Sequence, residues 1–193
     1  MSAPRPASGP VARPSLGAGR PVRAPVPPLP AMDALDRTHR EVLRMLGAFD
    51  GLVEHLEEHG PDEAARAQAA PILAFFNEHA REHHLREEQV VFPPLLVGAD
   101  DALAGHVRRL QQDHGWLEED WLTLAPQIEA IARGYNWYDL AMLRQALPVF
   151  RALYEDHIAL EESLVYPAAR RHHEALADGQ TRRGNGPAGP ATT

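Results

Sequence analysis

The sequence predicts an all-α protein, an antiparallel up-down four-helix bundle with disordered N- and C-terminal tails. Three observations carry that reading. Four stretches place apolar residues at helical spacing, with almost none of the strict alternation a β-strand shows. Gly and Pro mark the junctions between these stretches, so the links are short and neighbouring helices run antiparallel. Both chain ends lose their apolar periodicity and their acidic residues together. The resulting organisation is a Pro/Arg-rich tail over 1–31, a helical domain over 32–178 and a second tail over 179–193.

Residues 1–31 are rich in Pro, Gly, Ala and Arg, a composition that buries too little to fold. They read as a solubilising leader, with a docking segment for a protein partner as the alternative. The first helix is expected from about Asp33 to His59, with Leu35, Val42, Leu46, Phe49, Val53 and Leu56 on one face and Gly60-Pro61 as its stop. The second spans about Asp62 to Val91, is kinked by Pro71 and ends at Pro93-Pro94. The third begins near Asp101, has Leu103, Val107, Leu110, Leu117, Trp121, Leu124, Ile128 and Ile131 on its seam, and ends at Gly134. The fourth runs from about Trp137 to Tyr166 or beyond and is interrupted by Pro148. The tail from 179 onward repeats the composition of the first.

Charge excludes some functions. All 27 acids fall in 32–178, where only 13 of the 19 Arg accompany them, so the core carries a net charge of −14. Such a surface repels phosphate backbones, and no basic stripe with interleaved aromatics argues for nucleic acid. No stretch approaches the roughly 20 apolar residues a membrane span requires. The absence of an apolar run near the N-terminus argues against a secretory signal, so the expected location is cytoplasmic. With no cysteine, disulfides, thiolate metal sites and iron–sulfur ligation by this chain are excluded.

Chemistry enters through a repeat. HHLREEQVVFP, His83 to Pro93, returns as HIALEESLVYP, His157 to Pro167. Each copy carries His-x-x-x-Glu, which puts an imidazole and a carboxylate one turn apart on the same helix face. The seams set the register. That of the second helix reads Ile72, Phe76, His83, Glu87, Val90, and that of the fourth Leu147, Phe150, Tyr154, His157, Glu161, Leu164. His84 and Glu88 offer the same spacing but follow a polar stripe, and Ile158 occupies the place of His84 in the second copy, which favours His83/Glu87. In the first and third helices, single histidines, His39 and His114, interrupt the apolar stripe. Buried carboxylates and imidazoles need partners, and a metal cluster supplies all six at once. His39 precedes His83 by 44 residues and His114 precedes His157 by 43. The chain is thus two hairpins of one plan, and together they build a pseudo-twofold site for two metal ions from His39, His83, Glu87, His114, His157 and Glu161.

On these residues the chain resembles the hemerythrin-like family, the HHE cation-binding domain, over about 32–175. The family's lone first-helix His matches His39, its His-x-x-x-Glu before an aromatic–Pro step matches His83 and Glu87, its third-helix His matches His114, and its final pair matches His157 and Glu161. The resemblance implies a four-helix bundle holding two iron ions in an oxo- or hydroxo-bridged non-haem centre that meets oxygen, nitric oxide or peroxide. Oxygen-carrying members place a second His one turn after the third-helix His. Glu118 stands at that place here, either as a third carboxylate ligand or as a surface acid. With Glu118 outside the site, the donors leave about two iron positions open against about one in a five-His carrier, which favours reaction over reversible carriage. Iron–sulfur repair relatives carry a cysteine-bearing N-terminal module where this chain has its Pro/Arg tail. The expected function is to bind or sense oxygen, or to react with nitric oxide or peroxide. The alternatives are a metal-binding module for iron buffering or zinc, and a structural bundle whose tail recruits a partner. His79 and Tyr154, one turn before His83 and His157, are candidates to line the site or orient its ligands.

Overall fold

A computed structural model describes residues 29–98 and 100–184. Four long helices, with no strand among the described residues, form the bundle. They are α1 (Leu29–His59), α2 (63–98), α3 (Asp101–Ala132) and α4 (140–184). Contacts join α1 to α2, α2 to α3, α3 to α4 and α4 back to α1, the neighbour pattern of an up-down bundle.

Local chemistry fixes the ends. Gly60 takes φ 76° beyond α1, a conformation open to glycine at little cost. Asp62, Asp100 and Asp139 cap α2, α3 and α4 by accepting from the backbone N–H of Ala65, Leu103 and Met142. After α3, Gly134 at φ 74° lets Tyr135 N–H reach Ala130 O at 2.8 Å, closing the helix end. The fourth helix therefore starts at Leu140, after its Asp139 cap, rather than at Trp137.

Three expectations change. First, α1 begins at Leu29, and α4 runs to Gly184, so residues 29–31 and 179–184 are helical where tails were expected. The rest of both expected tails lies outside the described residues. Second, Pro93-Pro94 do not end α2. The chain passes through them because the preceding turn, Glu87–Val91, is a π-helical turn in which Phe92 N–H donates to Glu87 O. That wider turn moves the carbonyls off the ideal i−4 geometry with which a proline ring clashes. The second copy does the same: Glu161–Val165 is π-helical, Tyr166 N–H donates to Glu161 O, and Pro167 follows. A third π turn, Phe75–His79, follows Pro71, and α4 passes through Pro148 within its segment Leu140–Leu160. Third, the extra residue in each π turn shifts the seam. Val91 and Val165 are buried, whereas Val90 is half-buried and Leu164 is exposed.

The expected faces of α1 and α3 are otherwise buried, except that Leu103 is half-buried. Two apolar clusters result. The larger is built around Phe49, Phe76, Trp121, Phe150 and Tyr154. The smaller lies around Met32, Leu35, Phe92, Leu110 and Tyr166. Each fully buried side chain of this size contributes about 1.5–3 kcal/mol. Between the clusters every helix supplies buried polar residues. Among the described helices none is long and apolar enough to cross a membrane.

Candidate metal centre

The polar layer consists of His39, His83, Glu87, Asp113, His114, His157 and Glu161, all buried. It contains all six residues singled out by the repeat and the lone histidines. Ligand atoms of His39, His83, Glu87 and Glu161 converge within 4.8 Å of one another, and so do those of Glu87, His114, His157 and Glu161. The two sets share both carboxylates. His39 Nε2 lies 3.0 Å from His83 Nε2 and 3.1 Å from Glu161 Oε2. Across the site, His114 Nε2 is 3.4 Å from Glu87 Oε2, and His157 Nε2 is 3.3 Å from Glu161 Oε2. The helical i,i+4 relation holds His83 Nε2 3.5 Å from Glu87 Oε1.

This donor set fits cations. Glu87 Oε2, both oxygens of Glu161 and the Nε2 atoms of His114 and His157 are buried with no hydrogen-bond partner. Orphaned buried polar atoms of this number cost far more than a native core normally carries. Imidazole nitrogen and carboxylate oxygen suit iron, and also zinc or manganese.

Carboxylates outside the cluster orient the rings. His39 Nδ1–H donates to Glu162 Oε1 at 3.0 Å, and His114 Nδ1–H donates to Glu88 Oε1 at 3.1 Å. Fixing the proton on Nδ1 turns the Nε2 lone pair inward, which is the arrangement a metal needs. Glu88 and Glu162 are equivalent in the repeat, and each serves the lone histidine of the other hairpin. Gln111 Nε2 secures Glu88 in turn, at 2.8 Å. Asp113, buried, stands 3.9 Å from His157 Nδ1. Tyr166 O–H donates to Glu87 Oε1, and its oxygen lies 3.2 Å from His39 Nε2.

Electrostatics follow from burial and crowding. Burial, reinforced by the charge of Glu87, pushes the Glu161 carboxyl well above the carboxylate range. Burial also acts to raise Glu87, but the adjacent His83 and His114 outweigh it and hold that carboxyl low. Desolvation lowers His83 to about 4 and lowers His157, so both are neutral donors near pH 7. Burial, then the negative charge of Glu87 and Glu161, raises the phenols of Tyr154 and Tyr166, which stay protonated.

The remaining sequence candidates fall elsewhere. Glu118 is exposed and pairs with Arg81 at 3.1 Å, away from the cluster. His79 is exposed and stacks on Phe75. Tyr154 is buried in the larger apolar cluster and lines a cleft of about 680 Å³ between α2 and α3. His84 lines the same cleft, and its ring stacks on His114 with centroids 4.1 Å apart. Sequence reasoning set Glu88 aside as a ligand and missed Glu162, Asp113 and Tyr166 as site residues. The doubled Glu-Glu step in both repeats was the available signal for the first two, and the Phe92-to-Tyr166 difference for the last.

Comparison with known proteins agrees with this geometry. The family described as hemerythrin HHE cation binding domain matches residues 31–169. The chain is also similar to an uncharacterized protein of Haemophilus influenzae (strain ATCC 51907 / DSM 11121 / KW20 / Rd), 31% identical over 134 residues, which is 69% of this chain and 75% of that protein. No solved structure gives a significant match.

Proposed function

The chain belongs to the hemerythrin HHE cation-binding domain family, and from that premise we propose that it is a non-haem di-iron protein that binds or senses oxygen, or reacts with nitric oxide or peroxide. The observation that carries the reading is the double convergence of six buried N/O donors on two sets that share Glu87 and Glu161. In this reading His39 and His83 would hold one iron and His114 and His157 the other, with Glu87 and Glu161 within reach of both. Two irons, when bound, supply redox chemistry toward small oxidants. The chain's own residues do the rest. Glu88 and Glu162 aim two imidazoles, the apolar clusters on either side exclude bulk water, and Tyr166 O–H holds a proton beside Glu87 Oε1. With Glu118 tied to Arg81 on the surface, the donor set leaves room for exchangeable ligands, which favours reaction over reversible carriage. A diatomic ligand or peroxide as partner and a cytoplasmic setting belong to the same proposal.

Metal analysis and an absorption spectrum of protein purified in air test it. About two irons per chain with an iron charge-transfer band support it. Stoichiometric zinc and no colour would instead favour a metal-binding module without redox chemistry, since the same donors accept zinc. Adding oxygen, nitric oxide and peroxide separately to the reduced protein then distinguishes carrier, sensor and reactive enzyme.

A further inference from the structure

Of the six converging donors, His114 also lines the α2–α3 cleft, so this space of about 680 Å³ reaches the polar layer. Two of the contacts that tie α2 to α3 bracket the place where it does so. Arg81 Nη2 pairs with Glu118 Oε1 at 3.1 Å, and Gln111 Nε2 donates to Glu88 Oε2 at 2.8 Å. Because the helices run antiparallel, these ties lie one turn to either side of the same level. At that level α2 brings His84 and Leu85 to the cleft, and α3 brings His114 and Gly115.

Gly115 keeps this window open. It sits in the middle of α3, where glycine is among the worst helix formers. Nothing lies within 4 Å of the place its Cβ would take, so no close packing demands glycine. What the missing side chain leaves is space beside His114. His84 stands in that space. Its ring stacks on His114 with centroids 4.1 Å apart, and its Nε2 is buried with no hydrogen-bond partner. Glu87 and Glu161 already face His114 and His157 at 3.4 and 3.3 Å, which leaves His84 outside the resident donor set. Acids dominate the cleft walls, with Glu78, Glu82, Glu88 and Glu118 set against Arg81. A cleft lined by one sign of charge concentrates counter-ions at its mouth. The walls are therefore negative, the throat is unfilled, and the free donor at its inner end is an imidazole nitrogen.

We propose that this window is the route by which a cation enters and leaves the centre, with His84 as the relay between the cleft and His114. The proposal rests on the cation-binding reading of the six-donor layer. His84 Nε2 lends its lone pair while the ion sheds water, and His114 Nε2 draws the ion inward. A donor passed on the way in is passed again on the way out, so the relay sets both rates and leaves affinity alone.

Stopped-flow mixing of the metal-free full chain with cobalt(II) reads uptake by absorbance, and excess EDTA added to the loaded chain reads release. Gly115→Leu puts a side chain into the window while improving helix propensity. It should slow uptake and release by one common factor, on the order of tenfold, with the dissociation constant unchanged. His84→Phe, which keeps a ring on His114 and removes its nitrogen, should do the same. Gly105→Leu, on α3 but outside the cleft lining, should alter neither rate. Uptake by the unsubstituted chain should also slow as salt screens the cleft carboxylates. Parental rates in both Gly115→Leu and His84→Phe overturn the route and leave the six-donor centre standing. Weaker cobalt binding with unchanged uptake in His84→Phe overturns the relay, because it makes His84 a resident ligand. No cobalt uptake by the unsubstituted chain overturns both readings. Gly115→Leu alone decides the route if His84→Phe does not fold.

Discussion

At the level of single residues, the site separates into atoms that converge on its centre and atoms that aim them. Glu88 and Glu162 belong to the second group, so Glu88→Gln and Glu162→Gln should each weaken metal binding by about 10–100-fold, with little loss of helix content. A zinc titration against a competing chelator reads this, with the larger effect expected at Glu88, which Gln111 also holds in place. Glu161 yields a different prediction. Burial and the charge of Glu87 raise its carboxyl well above the ordinary range in the metal-free protein, so cation uptake should expel a proton from it. Calorimetry of zinc binding in buffers of different ionisation enthalpy should show proton release, and Glu161→Gln should remove it. The six donors were legible in the sequence because a His or Glu on an apolar seam has no other cheap explanation. Asp113 was not legible, since it sits beside His114 rather than one helical turn from another polar seam residue. His84 was set aside because it follows a polar stripe and its counterpart is Ile158, and its ring lies at the edge of the layer, stacked on His114.

The helices themselves hold the second lesson, in their π turns. A 3.6-residue period projects Val90 and Leu164 onto the seam, yet one extra residue per turn carries Val91 and Val165 inward instead. It also brings Phe92 and Tyr166, both fully buried, one turn beyond the ligand carboxylates. Periodicity could place the buried faces of α1 and α3 because they lack such turns, whereas the π turn in α2 hid its passage through Pro93-Pro94. Deleting the exposed Gln89 should restore an ordinary α-helical turn in α2, leaving Val91 and Phe92 three and four residues after Glu87 on the same face but placing Pro93 in a regular helix interior. Circular dichroism would then report a helix content close to the parent. Stability should fall by about 3 kcal/mol, the scale of a proline clash in a helix interior, as chemical denaturation would show. A deletion variant as stable as the parent would refute the role given to the turn.

For the molecule as a whole, a layer of polar groups crosses the bundle between two apolar clusters, and the stability of the fold becomes tied to what fills that layer. A cation at a hundred times its dissociation constant adds about 2.7 kcal/mol. For a chain of this size that raises the melting temperature by roughly 5–10 °C, so chelation should lower it by as much in a thermal scan. In the metal-free protein His83 has a folded pKa near 4, depressed by burial from its ordinary 6.5. The unfolded chain therefore takes up a proton first as pH falls, and the contribution of this group, on the order of 3 kcal/mol, is lost progressively from pH 6.5 to 4. Glu161 acts in the opposite sense: its raised pKa contributes stability at low pH that is lost as pH rises through the folded value. Equilibrium denaturation of the metal-free protein across pH 4–7 should register both limbs, and Glu161→Gln should keep only the His83 limb. The crossed contacts, Glu162 to His39 and Glu88 to His114, reach further still. They make this single chain a tethered dimer in which neither partner owns a finished site. If the tether between α2 and α3 were severed, the two fragments would associate more tightly with a cation than without one, the ion then serving as the fastener that the peptide link now supplies.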